Sequence, residues 1–395
     1  MAVTLAQADW RARAGLAELA AVLGTNDARF VGGAVRDTLL GLAVADIDIA
    51  TRHTPDSVVM LLKDAGIRVV PTGLTHGTVT ALTAGGPVEV TTLRRDVVTD
   101  GRHAIVAFTD DWRVDASRRD FTMNALYADP ASGALFDYFG GLDDLAAGRV
   151  RFIGDARSRI AEDHLRILRF FRFHARFGDL VDPEGLDACT ERANDLMALS
   201  RERIAAELLK LLVARHAVAV MALMVDRGIL RAVLPEIDGA GAARLAALAD
   251  AEAVHDIPAD AIRRLAVLIP PDAAKPVGAR LKLSNADRQR LKAATAGPGD
   301  EGPLGLAYRF GAAIALDRLL IAGADVWPLR DFVLPALPIG GGALVSMGLA
   351  RGPDVARALK TVESRWIAEG FPDATRTRVI AAETVAQALG GAIIA

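Results

Sequence analysis

The sequence predicts an α+β fold in which a mixed head is followed by an all-helical remainder. Two different sequence patterns along the chain support this prediction. From about residue 28 to residue 153, short β-like runs alternate with turns and brief helices. From residue 155 onward, apolar residues recur at helical spacing nearly to the end. The chain has 395 residues, which is enough for two or three domains.

The head contains several predicted strands and one well-marked helix start. Residues 83–87 form a hairpin-turn signal between the last two strands. Thr54 suits a helix N-cap and Pro55 suits the first helical position, so a helix is expected to begin there. The runs that suit strands are residues 29–33, 46–51, 67–71, 78–83 and 88–93.

The helical remainder is divided by clusters of proline and glycine near residues 257–277, 297–305 and 334–342. These clusters favour several helical segments over one continuous array. The expected segments are a head over residues 1–150, a neck over 151–225, a body over 226–300 and a tail over 301–395.

Composition narrows the class of protein. The net charge of −3 argues neither for nor against a nucleic-acid partner, so any RNA binding must come from local basic patches. One cysteine, Cys189, excludes a disulfide framework and a cysteine-based zinc site, and it fits a reducing cytoplasm. Residues 1–23 are typical of an amphipathic helix and not of a signal peptide. The apolar runs are shorter than a membrane span, so no membrane partner is expected.

The first candidate constellation is residues 30–37, Phe-Val-Gly-Gly-Ala-Val-Arg-Asp. A predicted strand runs into a turn at Gly32 and Gly33, and a short helix follows. Glycines let backbone N–H groups approach a phosphate closely, and a helix N-terminus favours its negative charge. Arg36 can add a forked, charge-assisted contact. The block indicates a phosphate site, although a Gly-Gly pair alone is equally a simple turn.

Asp46 and Asp48 follow, the first of them ten residues after Arg36. On a strand, residues i and i+2 point to the same face, so the two carboxylates repel each other unless cations lie between them. Mg²⁺ typically takes one or two carboxylates plus substrate phosphates. Two such ions, roughly 3.5–4 Å apart, can activate an attacking hydroxyl and stabilise departing pyrophosphate. An isolated Asp-x-Asp favours two surface aspartates, but the preceding glycine turn favours a Mg²⁺ site.

Two further blocks lie between the acid pair and the helical region. Residues 118–125, Arg-Arg-Asp-Phe-Thr-Met-Asn-Ala, combine a basic pair, an acid and an amide that could hold a triphosphate and ribose hydroxyls. The alternative is a set of surface charges at a helix N-terminus. Residues 137–145 form a Gly-Gly turn that we expect to be structural and to align head and neck.

The fourth block is residues 162–173, where Asp163, Arg166, Arg169 and Arg172 recur every three residues on a predicted helix. A surface ion-pair ladder that contributes little is one interpretation. The other follows from base chemistry. Asp163 supplies a hydrogen-bond acceptor and Arg166 supplies a donor on one face of the helix. Together they complement the amino group and the ring acceptor that cytosine and adenine share. Uracil and guanine would leave mismatched polar groups in a dry pocket.

Together these blocks resemble the tRNA nucleotidyltransferase/poly(A) polymerase family, specifically its bacterial CCA-adding enzymes of the second class. A fifth block, residues 200–208, resembles the family motif that braces the neck. The blocks occur in the family's order over roughly residues 28–212, and beyond them the resemblance is loose. The resemblance implies a polymerase-β-like nucleotidyltransferase head, a neck with a nucleotide-selecting helix, a body and a tRNA-binding tail.

The resemblance also implies an activity: template-independent addition of C, C and A from CTP and ATP to the 3′ end of tRNA, with Mg²⁺ as cofactor. Asp46 and Asp48 would bind the metal. A third carboxylate often completes such sites, and Glu89 is our candidate, although its strand pattern does not place it beside Asp46. The residues that would contact the nucleotide are Gly32, Gly33, Arg36, Arg119, Asp163, Arg166, Arg169 and Arg172.

Two weaker features belong to the same interpretation. Residues 100–103, Asp-Gly-Arg-His, resemble the mobile loop with which full CCA-adding enzymes switch from C to A, and a surface loop without function is the alternative. A basic stretch could track the tRNA backbone, and solvated helix faces are nearly as good an explanation. Its members are Arg263, Arg264, Lys275, Arg280, Lys282, Arg288, Arg290 and Lys292.

Two rival functions stay open at this stage. A poly(A) polymerase of the same family shares the motifs. A non-catalytic RNA-binding protein that kept the fold is the rival from another class, but pure binding needs no repelling acid pair.

Overall fold

A mixed β-sheet lies in the first part of the chain, and helices make up the rest. The computed structural model describes residues 4–5, 8–99 and 104–390. The chain divides into two compact units, Met1–Pro235 and Glu236–Ala395. The predicted α+β class is confirmed. The finer division into head, neck, body and tail remains a prediction.

Seven strands of the described chain form one sheet in the order β3-β4-β5-β2-β1-β8-β9. β2 and β5 run parallel, whereas the other neighbouring strands run antiparallel. β6 and β7 pair with each other as a separate antiparallel ribbon. The strands are β1 Ala28–Val31, β2 Asp48–Thr51, β3 Arg68–Gly73, β4 Thr78–Thr83, β5 Gly86–Thr92, β6 Arg94–Thr99, β7 Ala104–Phe108, β8 Leu126–Ala128 and β9 Leu135–Asp137.

The strands predicted from the sequence are the first five of this series, and they are confirmed with small shifts of their bounds. The expected hairpin turn joins β4 to β5, where Thr83 lies opposite Gly86. β6 to β9 were not predicted, because they are short or polar and show little alternation of apolar residues. The interpretation of residues 100–103 as a mobile loop concerns residues outside those that the structure describes.

The helices of the first unit are interspersed with its strands and continue beyond them, the last one ending at Asp226. α3 begins at Pro55 with Thr54 as its N-cap, as predicted, and the Thr54 side chain accepts a hydrogen bond from Ser57 N. Residues 1–23 were expected to form one helix, but the described part holds a single 3₁₀ turn and α1. The helices are α1 Leu16–Leu23, α2 Gly33–Leu39, α3 Pro55–Asp64, α4 Trp112–Ser117, α5 Gly141–Ala146, α6 Ala156–Glu162, α7 Leu165–Phe177, α8 Pro183–Glu191, α9 Arg201–Leu212 and α10 Ala217–Asp226.

An aromatic cluster fixes α7 against the polypeptide that follows the Arg-Arg-Asp block. Phe121 is fully buried, and its ring lies 4.9 Å from that of Phe152 and 5.2 Å from that of Phe173. Phe152 stacks on Phe170 of α7 at 5.6 Å. Pairs of this kind contribute about 0.5–1.5 kcal/mol each beyond the burial of their area. The cluster therefore holds the charged face of α7 beside residues 118–124.

The second unit contains only helices and 3₁₀ turns among its described residues. None of the helices that the structure describes combines the length and the apolarity needed to span a bilayer. The helices are α11 Gly239–Val254, α12 Ala261–Leu268, α13 Ala274–Arg280, α14 Asn285–Ala294, α15 Gly302–Phe310, α16 Ala312–Ile321, α17 Gly341–Ser346, α18 Pro353–Ala368 and α19 Ala374–Gly390.

A buried ion-pair network joins α11, α12, α14 and α16 of this unit. Glu252 accepts hydrogen bonds from Arg263 and Arg264 at 2.8 Å each. Arg263 also donates to Asp317 at 3.5 Å. Arg290 donates to both oxygens of Asp317, at 2.8 and 3.0 Å. Arg263 and Arg264 of the basic stretch are therefore not available to a tRNA backbone, because they neutralise a buried carboxylate within the unit. A contact of its other members with tRNA stays a prediction.

Candidate functional site

A cleft of about 520 Å³ opens in the first unit at one edge of the sheet. β1 and β2 are antiparallel, so the end of β1 and the start of β2 lie at this edge. Six arginines and three aspartates line the cleft, an excess of positive charge that suits a polyphosphate. The lining residues are Gly32, Gly33, Arg36, Asp48, Arg94, Arg118, Arg119, Asp120, Asn124, Asp163, Arg166, Arg169 and Phe173.

The predicted site residues are largely brought together here. Asp46, Glu89 and Arg172 are the predicted residues that do not line the cleft.

The turn between β1 and α2 requires glycine at its first position. Gly32 has φ +68°, in the left-handed region that favours glycine. A Cβ atom added there would lie 3.5 Å from Nη1 of Arg119 and 3.6 Å from the carbonyl oxygen of Asn124. The turn therefore brings the backbone close to the Arg-Arg-Asp block.

Arg36 is buried, with 6% of its surface exposed. Its Nε donates to Asp37 at 2.7 Å and its Nη1 donates to Asn124 Oδ1 at 2.5 Å. Its guanidinium carbon lies 4.4 Å from the centre of the Phe177 ring. Burial lowers the pKa of Arg36 from its ordinary value, and Asp37 opposes this shift. Much of its hydrogen-bonding capacity is thus used within the protein, which holds it rigidly at the cleft wall.

The acid pair lies where β2 begins. Asp48 is the first residue of the strand, and Asp46 precedes it, so the strand is shorter than predicted. Glu89 lies opposite Asp48 in the parallel register, and its N–H donates to the Ile47 carbonyl oxygen at 3.2 Å. Burial, together with the charges of Glu89 and Asp46, raises the pKa of Asp48 to about 6 against the opposing charge of Arg119. Three carboxylates therefore interact at this edge of the sheet.

The donor set fits Mg²⁺ only with help from a substrate. Among the residues that the structure describes, no group of three or more His, Cys, Asp or Glu side chains is arranged to hold a metal ion. Mg²⁺, however, needs only one or two carboxylates when phosphate oxygens and water complete its shell. Asp46 and Asp48 supply that number, and a divalent cation would relieve the repulsion among Asp46, Asp48 and Glu89 that adds to the effect of burial on the pKa of Asp48.

The two arginines of the Arg-Arg-Asp block share one buried anchor, Asp115 of α4. Arg118 Nε donates to Asp115 Oδ1 at 2.8 Å, and Arg119 Nη2 donates to Oδ2 at 3.2 Å. The hydroxyl of Tyr127 donates to the same Oδ2 at 2.7 Å. Both arginines line the cleft, so Asp115 fixes the cationic part of its wall.

A second chain of hydrogen bonds runs across the cleft through Asp120 and Asn124. Asn124 accepts from Arg36 through Oδ1, as above, and donates to Asp120 Oδ1 at 2.9 Å. Arg169 of α7 donates to Asp120 Oδ2 from Nε at 2.9 Å and from Nη2 at 2.5 Å. Burial alone would raise the pKa of Asp120, but Arg169 and Asn124 hold it below its ordinary value. The chain links α2 of the head to α7.

The nucleotide-selecting helix predicted over residues 162–173 is interrupted at its start. α6 ends at Glu162, and Asp163 is extended with φ −150° and ψ 106°. Asp163 Oδ1 accepts from Leu165 N at 3.1 Å, as an N-terminal cap of α7 would. Its Oδ2 accepts from Arg203 of α9 at 2.7 Å. Asp163 therefore precedes α7 and does not lie on the same helix as Arg166.

Arg166 is held by a different acid. Its Nη1 donates to Glu162 Oε2 at 2.5 Å and to the carbonyl oxygen of Arg159 at 2.7 Å. Asp163 and Arg166 thus both line the cleft, each fixed by its own partner, Arg203 in one case and Glu162 in the other.

Arg172 points away from this cleft and pairs with Glu207 of α9 at 2.5 Å. It lines another cleft with Arg176 and Lys210. Helix geometry explains the difference: six residues at 100° each leave Arg172 about 120° from the direction of Arg166. A three-residue spacing therefore cannot keep four side chains on one face.

The block over residues 137–145 is structural, as expected. The carboxylate of Asp137 accepts from the N–H groups of Phe139, Gly141 and Leu142, which closes the turn before α5. Asp144 is fully buried and accepts from Thr122 Oγ1 at 2.6 Å. The turn is thereby joined to the 3₁₀ turn at Thr122–Asn124.

Sequence reasoning missed the acids and the arginine that position the cleft residues. Asp115 lies three and four residues before Arg118 and Arg119, a helical spacing that signals contact. Glu162 lies four residues before Arg166, with the same signal. The pairing of Arg203 with Asp163 spans 40 residues, and no local pattern indicates it.

Comparison with known proteins agrees with this geometry. The family described as poly A polymerase head domain matches residues 28–151, and the family described as probable RNA and SrmB-binding site of polymerase A matches residues 181–240. The chain is 50% identical over 195 residues to the CCA tRNA nucleotidyltransferase 1, mitochondrial, of Homo sapiens, covering 48% of this chain and 45% of that protein. It is 42% identical over 199 residues to the CCA-adding enzyme of Oceanobacillus iheyensis, covering 50% and 48%. The matches thus span about half the length of these relatives.

Solved structures resemble the chain over most of its length. The CCA-adding enzyme of Bacillus stearothermophilus in complex with CTP superposes with a TM-score of 0.68 at 26% identity, covering 89% of this chain and 92% of that one. The Thermotoga maritima CCA-adding enzyme complexed with tRNA superposes with a TM-score of 0.70 at 20% identity and shows the fold alone. Over residues 28–151 the chain thus matches the poly A polymerase head domain, and its motifs, its cleft and these likenesses resemble those of CCA-adding enzymes.

Proposed function

We propose that the chain adds C, C and A, from CTP and ATP, to the 3′ end of tRNA without a nucleic-acid template. One observation carries this proposal. A single cleft combines a cationic wall suited to a triphosphate, an acid edge suited to a metal, and an acceptor–donor pair suited to base recognition. The names of the human and bacterial relatives, at 50% and 42% identity over about half of each chain, support the same activity.

The nucleotide would bind with its phosphates against the arginines. Arg118 and Arg119 line the cleft together with Gly32, and each has guanidinium nitrogens beyond those that contact Asp115. Charge-assisted hydrogen bonds from such groups are the strong ones for a polyphosphate. Arg36 and Arg169, held by Asn124 and Asp120, would fix the end of the site nearer α7.

Base choice would rest on Asp163 and Arg166. The carboxylate accepts from the amino group of cytosine or adenine, and the guanidinium donates to the neighbouring ring acceptor. Uracil and guanine reverse both groups, so they would leave buried donors and acceptors unpaired, at a cost of about 1–3 kcal/mol each. Because Arg203 and Glu162 hold the two side chains in place, the pair would act as a fixed protein template.

Each addition would form a bond between the tRNA 3′ oxygen and the α-phosphorus and break the bond from that phosphorus to pyrophosphate. Asp46 and Asp48 would hold Mg²⁺ at the sheet edge, with Glu89 beside them. Bound Mg²⁺ would favour the deprotonated 3′-hydroxyl and stabilise the departing pyrophosphate. We place this activity in the cytoplasm, where the free, buried thiol of Cys189 would stay reduced.

The proposal is tested by incubating the protein with Mg²⁺ and each labelled nucleotide, CTP, ATP, UTP or GTP. The substrates are three tRNAs that end at the discriminator base, at C and at CC. We expect CTP to be added to the first two, ATP to the third, and synthesis to stop after A. A growing A tail would instead indicate the poly(A) polymerase of the same family. RNA binding with no incorporation would indicate the non-catalytic rival.

A further inference from the structure

Asp115 of α4 is a fully buried carboxylate at the back of the cleft wall, with none of its side chain exposed. It receives four hydrogen bonds, two on each oxygen. Oδ1 accepts from Arg118 Nε at 2.8 Å and from the backbone N–H of Arg94 at 3.2 Å. Oδ2 accepts from Arg119 Nη2 at 3.2 Å and from the Tyr127 hydroxyl at 2.7 Å.

These contacts leave Asp115 no direct role with a ligand. A carboxylate offers about four lone-pair positions, and all are used here by the protein. The side chain does not line the cleft, whereas Arg94, Arg118 and Arg119, whose groups it accepts from, all do. Whatever Asp115 does for a ligand it must therefore do through these neighbours.

Tyr127 of β8 completes the arrangement around Arg119. The Tyr127 hydroxyl donates to Asp115 and accepts from Arg119 Nε at 3.3 Å, while its ring lies 5.4 Å from the Arg119 guanidinium carbon. Two nitrogens of Arg119 are thus held from behind. The third, Nη1, is the atom that a Cβ on Gly32 would approach to 3.5 Å. It is therefore directed at the glycine turn.

We propose that Asp115, supported by Tyr127, is a positioning residue that aims Arg118 and Arg119 at the triphosphate of the incoming nucleotide. This inference rests on the proposed function, since it takes a nucleoside triphosphate as the ligand. Without Asp115, both arginines would sample other rotamers. The conformational entropy lost when the nucleotide orders them again would weaken its binding. Base choice would not change, because Asp163 and Arg166 are held by other partners.

A merely structural role makes a different prediction. Loss of a buried anchor would then lower stability and reduce the amount of active protein, which lowers kcat at unchanged KM. A positioning role raises the KM for CTP and for ATP alike and leaves the preference for CTP over UTP intact. The two roles are therefore separated by KM against kcat and by selectivity.

The experiment compares Asp115→Asn with Asp111→Ala. Asp111 is the exposed N-cap of the same helix, where its carboxylate accepts from Arg113 N and Val114 N, so its loss weakens α4 without touching Arg118 or Arg119. In Asp115→Asn we expect the KM for both nucleotides to rise about tenfold, the effect of misplacing one charge-assisted hydrogen bond. In Asp111→Ala we expect a lower melting temperature, because loss of an N-cap destabilises the helix, and an unchanged KM.

A second variant keeps the test decisive if Asp115→Asn does not fold. Tyr127→Phe keeps the carboxylate and removes one of its four donors, and we expect it to raise both KM values about threefold. Unchanged KM values in the folded variants would overturn the inference. A preference for CTP over UTP that decreases while KM rises would overturn it as well. A wild-type protein that incorporates neither CTP nor ATP would instead overturn the proposed function.

Discussion

Replacement of Glu162 by Gln tests whether Arg166 reads the base from a fixed position. Glu162 stands between two arginines, accepting from Arg166 Nη1 at 2.5 Å and from Arg159 Nη1 at 2.9 Å. The substitution preserves shape and removes the charge. Arg166 keeps its bond to the Arg159 carbonyl oxygen at 2.7 Å, so it is loosened and not released.

The magnitude follows from the geometry. A hydrogen bond between charged groups contributes about 1.5–3 kcal/mol when buried. One third of the Glu162 side chain is exposed, so solvent screening reduces this to about 1 kcal/mol. We therefore expect the preference for CTP over UTP, measured as the ratio of kcat/KM values, to fall about fivefold.

The assay uses tRNA that ends at the discriminator base, with CTP or UTP as the only nucleotide. Glu191→Gln is the matched control, because Glu191 pairs with Arg157 at 2.8 and 2.7 Å on the surface of α6 and α8. An unchanged ratio in Glu162→Gln, or an equal fall in Glu191→Gln, would refute the reasoning.

Three further predictions concern other parts of the chain. Arg203→Met should remove the hydrogen bond to Asp163 and lower the preference for CTP over UTP by several-fold, at an unchanged melting temperature. An unchanged preference would show that this pairing does not determine base choice. Asp317→Asn should destabilise the second unit by about 3–5 kcal/mol in urea unfolding, since it removes the fully buried acid with which Arg290 pairs; a loss below about 1 kcal/mol would contradict this. The charges of Arg119 and Arg118 outweigh burial and hold the pKa of Asp115 at about 2, below its unfolded value of 3.8. Its contribution is therefore complete above about pH 4 and is lost as the pH falls towards 2, by about 2 kcal/mol. The free energy of unfolding should fall less steeply with acid in Asp115→Asn than in the wild type, and equal slopes would speak against the assignment.

Local patterns predicted the sheet edge well. The glycine turn, the acid pair and the strand that carries Asp48 are all set by neighbours in the sequence, so periodicity and turn chemistry were sufficient. Glu89 was placed beside Asp48 only by the parallel register of β2 and β5, which pairs residues 41 positions apart and which strand alternation cannot reveal.

The fourth block shows where local patterns fail. Its polar stripe was interpreted as one face of one helix, yet aspartate also favours the position just before a helix, and Asp163 takes that position. The true helix then begins at Leu165, and its rotation carries Arg172 to Glu207 and out of the cleft. The partner of Asp163 comes from α9, which only the packed fold brings near.

The acid edge of the sheet is the centre of the account, and Asp48→Asn tests it most directly. The measurement is single-turnover incorporation of CTP together with tRNA affinity, at saturating Mg²⁺, with the exposed Asp64→Asn of α3 as the control. We expect Asp48→Asn to bind tRNA normally and to lose incorporation by about a thousandfold or more, while Asp64→Asn resembles the wild type. Incorporation by Asp48→Asn at near wild-type rate would contradict this expectation.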